Sequence, residues 1–426
     1  MNNDLEDSLR STLGHASERA PQAPNNLSTH IVTHSRRRRT RTQALVAAVA
    51  VVVVAGGLGV TVRGAVNHPA PPVTGPTIVS SPRTAAPSPA DAVLGLPDPV
   101  EKVWPQAVRK IPATLPNGRT FGVQAFIDDH TLLIQTSSSF EKTDALYAYD
   151  MDSAEVRKIT DVPTPGKTVG FASDFTVGAG QVAWWTARRI DRTEFADLWA
   201  APLSGGEARL VASYQNGKDS KYGNGALDPP AVTGDGRIAF SFRRSDGVFT
   251  VSLGGGTVEP VAGAEKYHLL SWPWVGSGGM YNQSEAAKFA ELLNVETGEK
   301  RTALVNPGER EVRCGLTVCT GQKDDGKGRG MAFYRLRDGS QERKLPGSNP
   351  VFGLASERFH SAAFTAEGKL RGVVLYDLAT GKSGDLGVRP DRKNGMPFPT
   401  PGRGSGRLLD YELKGQIVII DLSKIT

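Results

Sequence analysis

The stretch RIAFSFRRSDGVFTVSL, residues 237–253, contains two short runs of apolar and β-branched residues on either side of a polar connection. Short apolar runs bounded by glycine and polar residues are typical of paired β-strands. Both runs recur along the rest of the chain. The stretch is therefore one copy of a repeating unit, and the spacing of the copies decides the fold.

The second run of this unit has seven copies. They end at Met151, Leu203, Leu253, Val295, Leu336, Leu378 and Leu422, at intervals of 52, 50, 42, 41, 42 and 44 residues. The first run also has seven copies, which begin at Thr131, Gln181, Arg237, Gly279, Thr317, Ser361 and Arg407. A period in the low forties with several short strands is that of four-stranded propeller blades. The sequence predicts an all-β fold, a seven-bladed β-propeller over residues 101–426, with six or eight blades as alternatives.

The end of the chain predicts how the ring closes. The last unit stops at Thr426, four residues after Leu422, so it lacks an outer strand. AVRKIPATL, residues 107–115, is similar to the outer-strand sequence EVRKIT, residues 155–160. We expect this N-terminal strand to complete the last blade, because that pairing removes the open edges of the ring.

Residues 230–256 resemble the TolB-type, WD40-like propeller repeat. In that repeat an Asp-Gly turn, here Asp235 and Gly236, leads into an Ile-Ala-Phe strand that begins here at Ile238. The full match covers this one blade. The resemblance implies a propeller that acts as an interaction platform or carries an accessory or catalytic site of an enzyme. The order of segments also resembles a group of membrane-anchored bacterial proteins without assigned roles.

Residues 44–62, ALVAAVAVVVVAGGLGVTV, predict a transmembrane helix because they are nineteen residues without a charge. Such a helix spans about 28 Å, close to the roughly 30 Å hydrocarbon core of a bilayer. Five arginines lie within residues 36–41, before this run, and Arg63 follows it. The positive-inside rule therefore predicts a single-pass cell-membrane protein with a cytoplasmic N-terminus. The alternative is a cleaved signal peptide, although no clear cleavage site follows the run.

The flanks of this segment predict three further regions. Residues 1–43 are a cytoplasmic stub with a basic run, in which Leu5, Leu9 and Leu13 recur at helical spacing. This spacing indicates either a docking helix for a cytoplasmic partner or a marginal helix without one. Residues 63–100 are proline-rich and predict a disordered linker. The propeller, residues 101–426, is then extracytoplasmic.

The distribution of charge argues against nucleic acid as a partner. The net charge is +6, of which residues 1–43 carry +3 and residues 44–97 carry +1. The remaining residues therefore carry only +2. A nearly neutral domain lacks the basic face that phosphate neutralisation requires. We expect the propeller to bind an extracytoplasmic protein or envelope ligand instead.

The two cysteines of the chain, Cys314 and Cys319, predict a disulfide in the fifth blade. On one straight strand they would lie farther apart than the roughly 4.4 to 6.8 Å between Cα atoms that a disulfide needs. A turn over residues 315–318 brings them together. The predicted location of the propeller outside the cytoplasm favours a disulfide, because disulfides persist in oxidising compartments. Free thiols are the alternative.

No motif identifies a catalytic, cofactor-binding or metal-ligating residue. The sequence TGKS, residues 380–383, matches the tail of a phosphate-binding loop, but Tyr376 occupies the position of the first glycine of that loop. The repeat instead places Gly381 in a turn between strands. Histidines and acids show no metal-ligand spacing apart from His30 and His34 in the stub, a pair that we interpret as incidental, so we expect no cofactor. Acidic side chains from several blades could still meet in the central channel, as in a glycosidase.

The connections between blades form the predicted binding surface. The longest are residues 213–227, residues 265–274 and the connection after the sixth blade. Their aromatic side chains include Tyr214, Tyr222, Tyr267, Trp272 and Trp274. These residues are either contact residues or caps that pack over the blades. The leading hypothesis is a membrane-anchored binding module, and the alternatives are an envelope hydrolase and a signalling protein that uses the stub.

Overall fold

Strands dominate the part of the chain that the computed structural model describes. The described residues are 95–139, 142–163, 171–190, 193–215, 227–243, 245–280, 287–324, 326, 330–348, 350, 353–390, 400–401 and 406–426. The predicted stub, the predicted membrane segment and the linker up to residue 94 lie outside them. Within these ranges, no helix has the length and apolar character needed to cross a bilayer.

The chain enters the propeller through a one-turn helix, α1 (Val100–Val103), and strand β1 (Val108–Pro112). Three four-stranded antiparallel sheets follow, here called blades 1 to 3, with their strands in sequence order from the inner to the outer edge. Blade 1 contains β2 (Phe121–Phe126), β3 (Thr131–Ser139), β4 (Lys142–Asp150) and β5 (Val156–Asp161). Blade 2 contains β6 (Phe171–Gly178), β7 (Gln181–Ile190), β8 (Thr193–Pro202) and β9 (Arg209–Gln215). Blade 3 contains β10 (Ala231–Val232), β11 (Arg237–Phe242), β12 (Ser245–Ser252) and β13 (Glu259–Pro260).

Blades 4 to 7 are less regular. Blade 4 contains β14 (His268–Ser271), β15 (Trp274–Gly276), β17 (Glu291–Asn294) and β18 (Lys300–Thr302), and its chain also forms β16 (Ala287–Lys288). Blade 5 contains β19 (Arg310–Cys314), β20 (Val318–Asp324), β21 (Gly330–Leu336) and β22 (Arg343–Lys344). Blade 6 contains β23 (Phe359–Ala366), β24 (Lys369–Asp377) and β25 (Ser383–Asp385). Blade 7 contains β26 (Thr400–Pro401), β27 (Leu408–Leu413), β28 (Gln416–Asp421) and, at its outer edge, β1.

Apolar clusters fill the space between neighbouring blades. In β7, Trp184 packs towards blade 1, and the next residue, Trp185, packs towards blade 3. In β24, Val373 packs towards blade 7 and Val374 towards blade 5. Because successive side chains point to opposite faces of a strand, a strand that is buried on both faces needs apolar residues at consecutive positions. Burial on both faces therefore explains why the repeat contains continuous apolar runs.

Strand β1 closes the ring. It pairs antiparallel with β28, from Val108 opposite Ile420 to Pro112 opposite Gln416. Beyond β28 the chain forms a 3-10 helix, Leu422–Lys424, and no outer strand. An apolar cluster that includes Leu132 of blade 1 and residues of β27 and β28 also joins the first and last blades. The predicted count of seven blades and the predicted closure by the N-terminal strand are therefore confirmed.

The end of the predicted linker packs against blade 6. Pro99 forms an isolated bridge with Asp385 of β25, and the side chain of Val100 is fully buried. Val100 belongs to the apolar cluster between blades 6 and 7. The chain thus contacts the outer edge of blade 6 before it enters blade 7.

Blade 4 departs from the sequence prediction. A second strand from Gly279 is predicted, which is wrong: this strand is β15, and Gly279 follows it outside any strand. A Cβ atom at Gly279 would lie 2.3 Å from the ring of His268. The glycine therefore serves close packing against the imidazole. The predicted connection over residues 265–274 is also wrong, because β14 lies within it.

Strand β16 crosses from blade 4 to blade 5. It lies in the connection between β15 and β17, yet it pairs in parallel with β19, with Ala287 opposite Val312. Blade 5 therefore has a fifth strand at its inner edge. The next residue, Phe289, has a φ of 56°, a conformation that bulky residues rarely adopt. This turn returns the chain from blade 5 to blade 4.

Candidate functional site

One face of the propeller carries the connections between second and third strands together with those between blades, and it is here called the loop face. The third strands all run from this face to a turn on the opposite face, and their lengths differ. The third strand of blade 2, β8, has 10 residues, and that of blade 1, β4, has 9. In blade 6, β24 occupies the third-strand position and also has 9 residues, whereas β17 of blade 4 has 4. At about 3.3 Å per residue, β8 is longer than β17 by roughly 20 Å. The third strands of blades 1, 2 and 6 are therefore long, and that of blade 4 is short.

A group of mostly buried polar side chains lies at the loop-face ends of blades 2, 3 and 4 and is here called the polar cluster. It consists of Asp174, Trp185, Asp228, Ser241, Arg243, Asp246 and His268. These residues come from blades 2, 3 and 4, and they join the blades at the loop face. Charged groups are seldom buried in proteins without partners. The bonds within the cluster account for the burial of its charges.

His268 is the centre of one half of the polar cluster. Its Nδ1 lies 3.2 Å from Oδ2 of Asp228, and its Nε2 lies 3.1 Å from Oδ1 of Asp246. The His268 side chain is 1% exposed, whereas that of Asp246 is 59% exposed. Burial opposes the charge on the imidazole, but the bonds to Asp228 and Asp246 outweigh it and raise the pKa of His268 above its usual value. The geometry therefore favours an imidazolium between two carboxylates.

Ser241 fixes Asp228 from the other side. Its hydroxyl donates a hydrogen bond to Oδ2 of Asp228 at 2.7 Å, and its Oγ accepts one from the backbone N–H of Leu269 at 2.8 Å. Ser241 does not bond to His268, so these residues do not form the nucleophile and base of a hydrolase. Their role is to hold the buried carboxylate of Asp228 in place.

Asp174 and Arg243 form the other half of the polar cluster. Asp174 Oδ2 accepts hydrogen bonds from Nε1 of Trp185 at 3.0 Å and from Nη2 of Arg243 at 2.8 Å. Nε of Arg243 donates to the carbonyl of Leu227 at 2.8 Å. Asp174 has a φ of 55°, which aspartate tolerates better than most residues. These bonds tie blade 2 to blade 3 below the loop face.

An aspartate recurs near the loop-face end of the third strand in blades 1, 2 and 3. Asp144 accepts from Arg119 and Thr136. Asp197 accepts from Arg188 and Ser213. Asp246, the third member, is held by His268 and has no arginine partner among the described residues. Asp246 is also the most exposed of the three, with Asp144 at 29% and Asp197 at 2%.

The aromatic residues predicted as contacts mostly pack inside the protein. Tyr214 lies in β9, where its ring contacts Phe240 and Phe242 at centroid distances of 5.4 and 5.2 Å. Trp274 lies in β15 and is buried with Phe289. Tyr222 lies outside the described residues. Of the two interpretations of these aromatic residues, packing rather than ligand contact applies to Trp274, which belongs to the core.

The predicted disulfide is confirmed on the opposite face. Cys314 and Cys319 lie directly opposite each other on β19 and β20, with their Cα atoms 4.0 Å apart and their sulfurs bonded. The backbone N–H of Gly315 bonds to the carbonyl of Val318, which forms the predicted turn. Glu357 of blade 6 accepts from the backbone N–H of Thr317 at 2.8 Å. The bridged turn thus also links blades 5 and 6.

One carboxyl group outside the polar cluster lacks a partner. Asp410 of β27 is partly exposed, and no described residue forms a hydrogen bond or ion pair with it. Burial raises its pKa to about 7. Within the described ranges, no group of three or more His, Cys, Asp or Glu side chains could hold a metal ion.

No protein-family model matches the chain, and no curated protein matches it. Among solved structures, the chain is similar to a putative TolB from Agrobacterium tumefaciens, with 9% identity, 74% of this chain and 96% of that chain covered, and a TM-score of 0.29. It is also similar to the β-propeller domain of the Trilobed protease from Pyrococcus furiosus, with 9% identity, 66% and 84% coverage and a TM-score of 0.36. Virginiamycin B lyase from Staphylococcus aureus gives 12% identity, 74% and 99% coverage and a TM-score of 0.33. Similarity at this level says nothing about activity.

Proposed function

We propose that the propeller is a binding module whose loop face binds a protein, peptide or envelope ligand beside blade 4. One observation carries this proposal: Asp246 is a largely exposed carboxylate that a buried histidine of blade 4 holds in place at the loop face. A fixed, exposed charge binds a partner with less loss of side-chain entropy than a free one.

The chemistry of Asp246 suggests the class of ligand group. Oδ1 faces His268, and Oδ2 has no partner among the described residues. A carboxylate oxygen accepts hydrogen bonds, most strongly from cationic donors. We therefore expect the ligand to present an ammonium, guanidinium or amide N–H group to Asp246. The longer hairpins of blades 1 and 2 would limit how a large partner approaches.

Site-directed photo-crosslinking in intact cells tests the proposed surface. One variant carries a photo-reactive residue at Ser245, which is exposed beside Asp246. The matched control carries it at Asp338, an exposed turn residue on the opposite face. We expect an adduct of defined mass at Ser245, its absence at Asp338, and its loss when Asp246→Asn is added. Equal adducts at both positions, or none at Ser245, would contradict the proposal.

We also propose that residues 44–62 anchor the propeller in the cell membrane with the N-terminus inside. The uncharged run and the arginines before it support this arrangement. Cys314 and Cys319 are bonded to each other, so an introduced cysteine is the one reactive thiol of the chain. A membrane-impermeant maleimide added to intact cells should label Ser80→Cys and leave Ser8→Cys unlabelled. Labelling of both or neither in intact cells would contradict the topology.

An envelope hydrolase is the second candidate function, and Asp410 is the observation that favours it. A carboxyl group with a pKa of about 7 suits a general acid at neutral pH. Purified full-length protein incubated with isolated cell wall should then release soluble fragments. The Asp410→Asn variant should release none. Equal release by both proteins, or no release by either, would remove this candidate.

A further inference from the structure

His268 lies where three segments of blades 3 and 4 meet. It begins β14, Asp228 comes from the segment before β10, and Asp246 lies at the start of β12. Gly279 packs against the ring and leaves no room for a larger side chain there. Among the described residues, the charged groups that contact the imidazole are two carboxylates. The nearest cation of the polar cluster, Arg243, is paired with Asp174.

The two ring nitrogens need two protons to satisfy both carboxylates. An imidazolium has two N–H groups and donates to Asp228 and Asp246 at the same time. A neutral imidazole has one N–H group and presents a lone pair at the other nitrogen. After loss of one proton, one carboxylate therefore faces a lone pair instead of a donor, and that contact is repulsive.

Burial decides which carboxylate loses its donor. The side chain of Asp228 is 3% exposed, so water cannot replace a lost hydrogen bond there. The side chain of Asp246 is 59% exposed and can be hydrated. The remaining proton should stay on Nδ1, towards Asp228. The lone pair of Nε2 then faces Asp246.

We propose that His268 is a proton-operated clamp that holds Asp246 in position when the imidazole is charged and releases it when the imidazole is neutral. The start of β12, which carries Asp246, is then fixed at mildly acidic pH and free to move at alkaline pH. Regulation of ligand binding by this clamp rests on the proposed function of the loop face. The clamp itself can be tested without a ligand.

Hydrogen exchange of the full-length protein, read by mass spectrometry, tests the clamp. After correction for the intrinsic rate, exchange of the peptide around Gly247 should rise about tenfold from about pH 6 to about pH 9. The internal control is the start of β4 in blade 1, where Asp144 is held by Arg119, which does not titrate in this range. Exchange there should not change. A rise of the same size in both peptides, or in neither, would overturn the proposal.

Two variants separate the clamp from a general loss of structure. His268→Gln cannot gain a proton, so exchange around Gly247 should lose its pH dependence. Asp246→Asn replaces an exposed side chain and should fold even if His268→Gln does not. Without the outer carboxylate, the NMR titration of His268 should move to lower pH in this variant. An unchanged titration, or an unchanged pH dependence of exchange in both variants, would refute the clamp.

The crosslinking assay then distinguishes the clamp from the proposed function. If both hold, the adduct at Ser245 should fall severalfold between about pH 6 and about pH 9 while exchange around Gly247 rises. A pH-dependent start of β12 with a constant adduct would support the clamp and refute its control of binding. A pH-dependent start of β12 with no adduct at any pH would count against the binding module alone.

Discussion

Blades 1 and 2 are joined by a large apolar cluster, whereas blades 4 and 5 are joined by a smaller apolar cluster together with guanidinium groups. The cluster between blades 1 and 2 contains eleven buried apolar residues, including Trp184. Between blades 4 and 5 the corresponding cluster has five members, two of which are the bonded cysteines. Blade 4 has shorter strands and therefore offers less apolar surface to its neighbours. The comparison indicates that polar links supplement apolar packing where strands are short.

The buried ion pair of blade 5 illustrates such a polar link. Nη1 and Nη2 of Arg335 contact the two carboxylate oxygens of Glu309 at 2.5 and 2.7 Å, with the two side chains 1% and 4% exposed. Burial works against the charge of Glu309, but bonds from Arg335 and Asn306 lower its pKa to about 2. Arg337 donates to three backbone carbonyls, those of Gly315, Phe289 and Ala290. These guanidinium groups join β19, the end of the β16 crossing and blade 4.

The largest expected effect concerns apolar packing in blades 1 and 2. Trp184→Ala should lower the free energy of unfolding by about 4 kcal/mol, because the side chain is fully buried. Trp184→Phe should cost only about 1 kcal/mol, since the indole N–H has no hydrogen-bond partner among the described residues. Urea denaturation of the full-length protein measures both. If Trp274→Ala in blade 4 lowered the free energy of unfolding more than Trp184→Ala does, the proposed difference between the two regions would be wrong.

The second prediction concerns the ion pair of blade 5. Arg335→Gln should cost about 3 kcal/mol, because it leaves the Glu309 carboxylate buried without its charge partner. Arg119→Gln in blade 1 is the matched control, and it should cost about 1 kcal/mol because that guanidinium and its partner Asp144 are both more exposed. Equal shifts in the urea midpoint of the two variants would show that buried charge does not distinguish the two regions.

The third prediction concerns the disulfide. Replacement of Cys314 and Cys319 together by alanine should lower the free energy of unfolding by about 2 kcal/mol, because the bond closes a short loop. The loss should appear first as faster hydrogen exchange in blades 4 and 5, with blades 1 and 2 unchanged. An equal change in all blades would argue that the bond acts through the unfolded chain alone.

The smallest expected effect is the pH dependence due to Asp410. Its pKa is raised to about 7 in the folded protein from an ordinary value of 3.8, so folding favours the protonated form. This contribution to stability is complete below about pH 4 and is lost as the pH rises through about 7. Asp410→Asn should therefore stabilise the protein by about 1 kcal/mol more at pH 8 than at pH 5, since partial exposure reduces the effect. If Asp410→Asn changed the free energy of unfolding by the same amount at pH 5 and at pH 8, the raised pKa of Asp410 would be contradicted.

The repeat in the sequence predicts most of the fold because each blade is encoded locally. Six of the seven predicted second strands begin within two residues of an observed strand start, and the closing strand and the disulfide are also confirmed. The exception is blade 4, where the predicted strand begins at Gly279. That glycine is required by close packing against His268 and does not mark the start of a strand. A contact of that kind has no periodic signal.

The polar cluster could not be predicted because its members are far apart in the sequence. Asp174, Asp228 and His268 belong to or precede different blades, and only the packing of those blades brings them together. Periodicity shows which strands pair but not which polar side chains meet between sheets. One signal was available: an aspartate near the start of the third strand in blades 1, 2 and 3, at Asp144, Asp197 and Asp246.

The closure of the ring by β1 has a consequence for biosynthesis. Val108 pairs with Ile420, about 310 residues later in the chain. At roughly 5 to 20 residues per second, β1 waits about 15 to 60 seconds for its partner while the blades between them are made. Such long-range pairing is slow because a large loop must close before any contact forms. Deletion of residues 416–426 would remove β28 and leave β1 without its partner. The pairing of β1 with β28 therefore turns a row of blades into a ring.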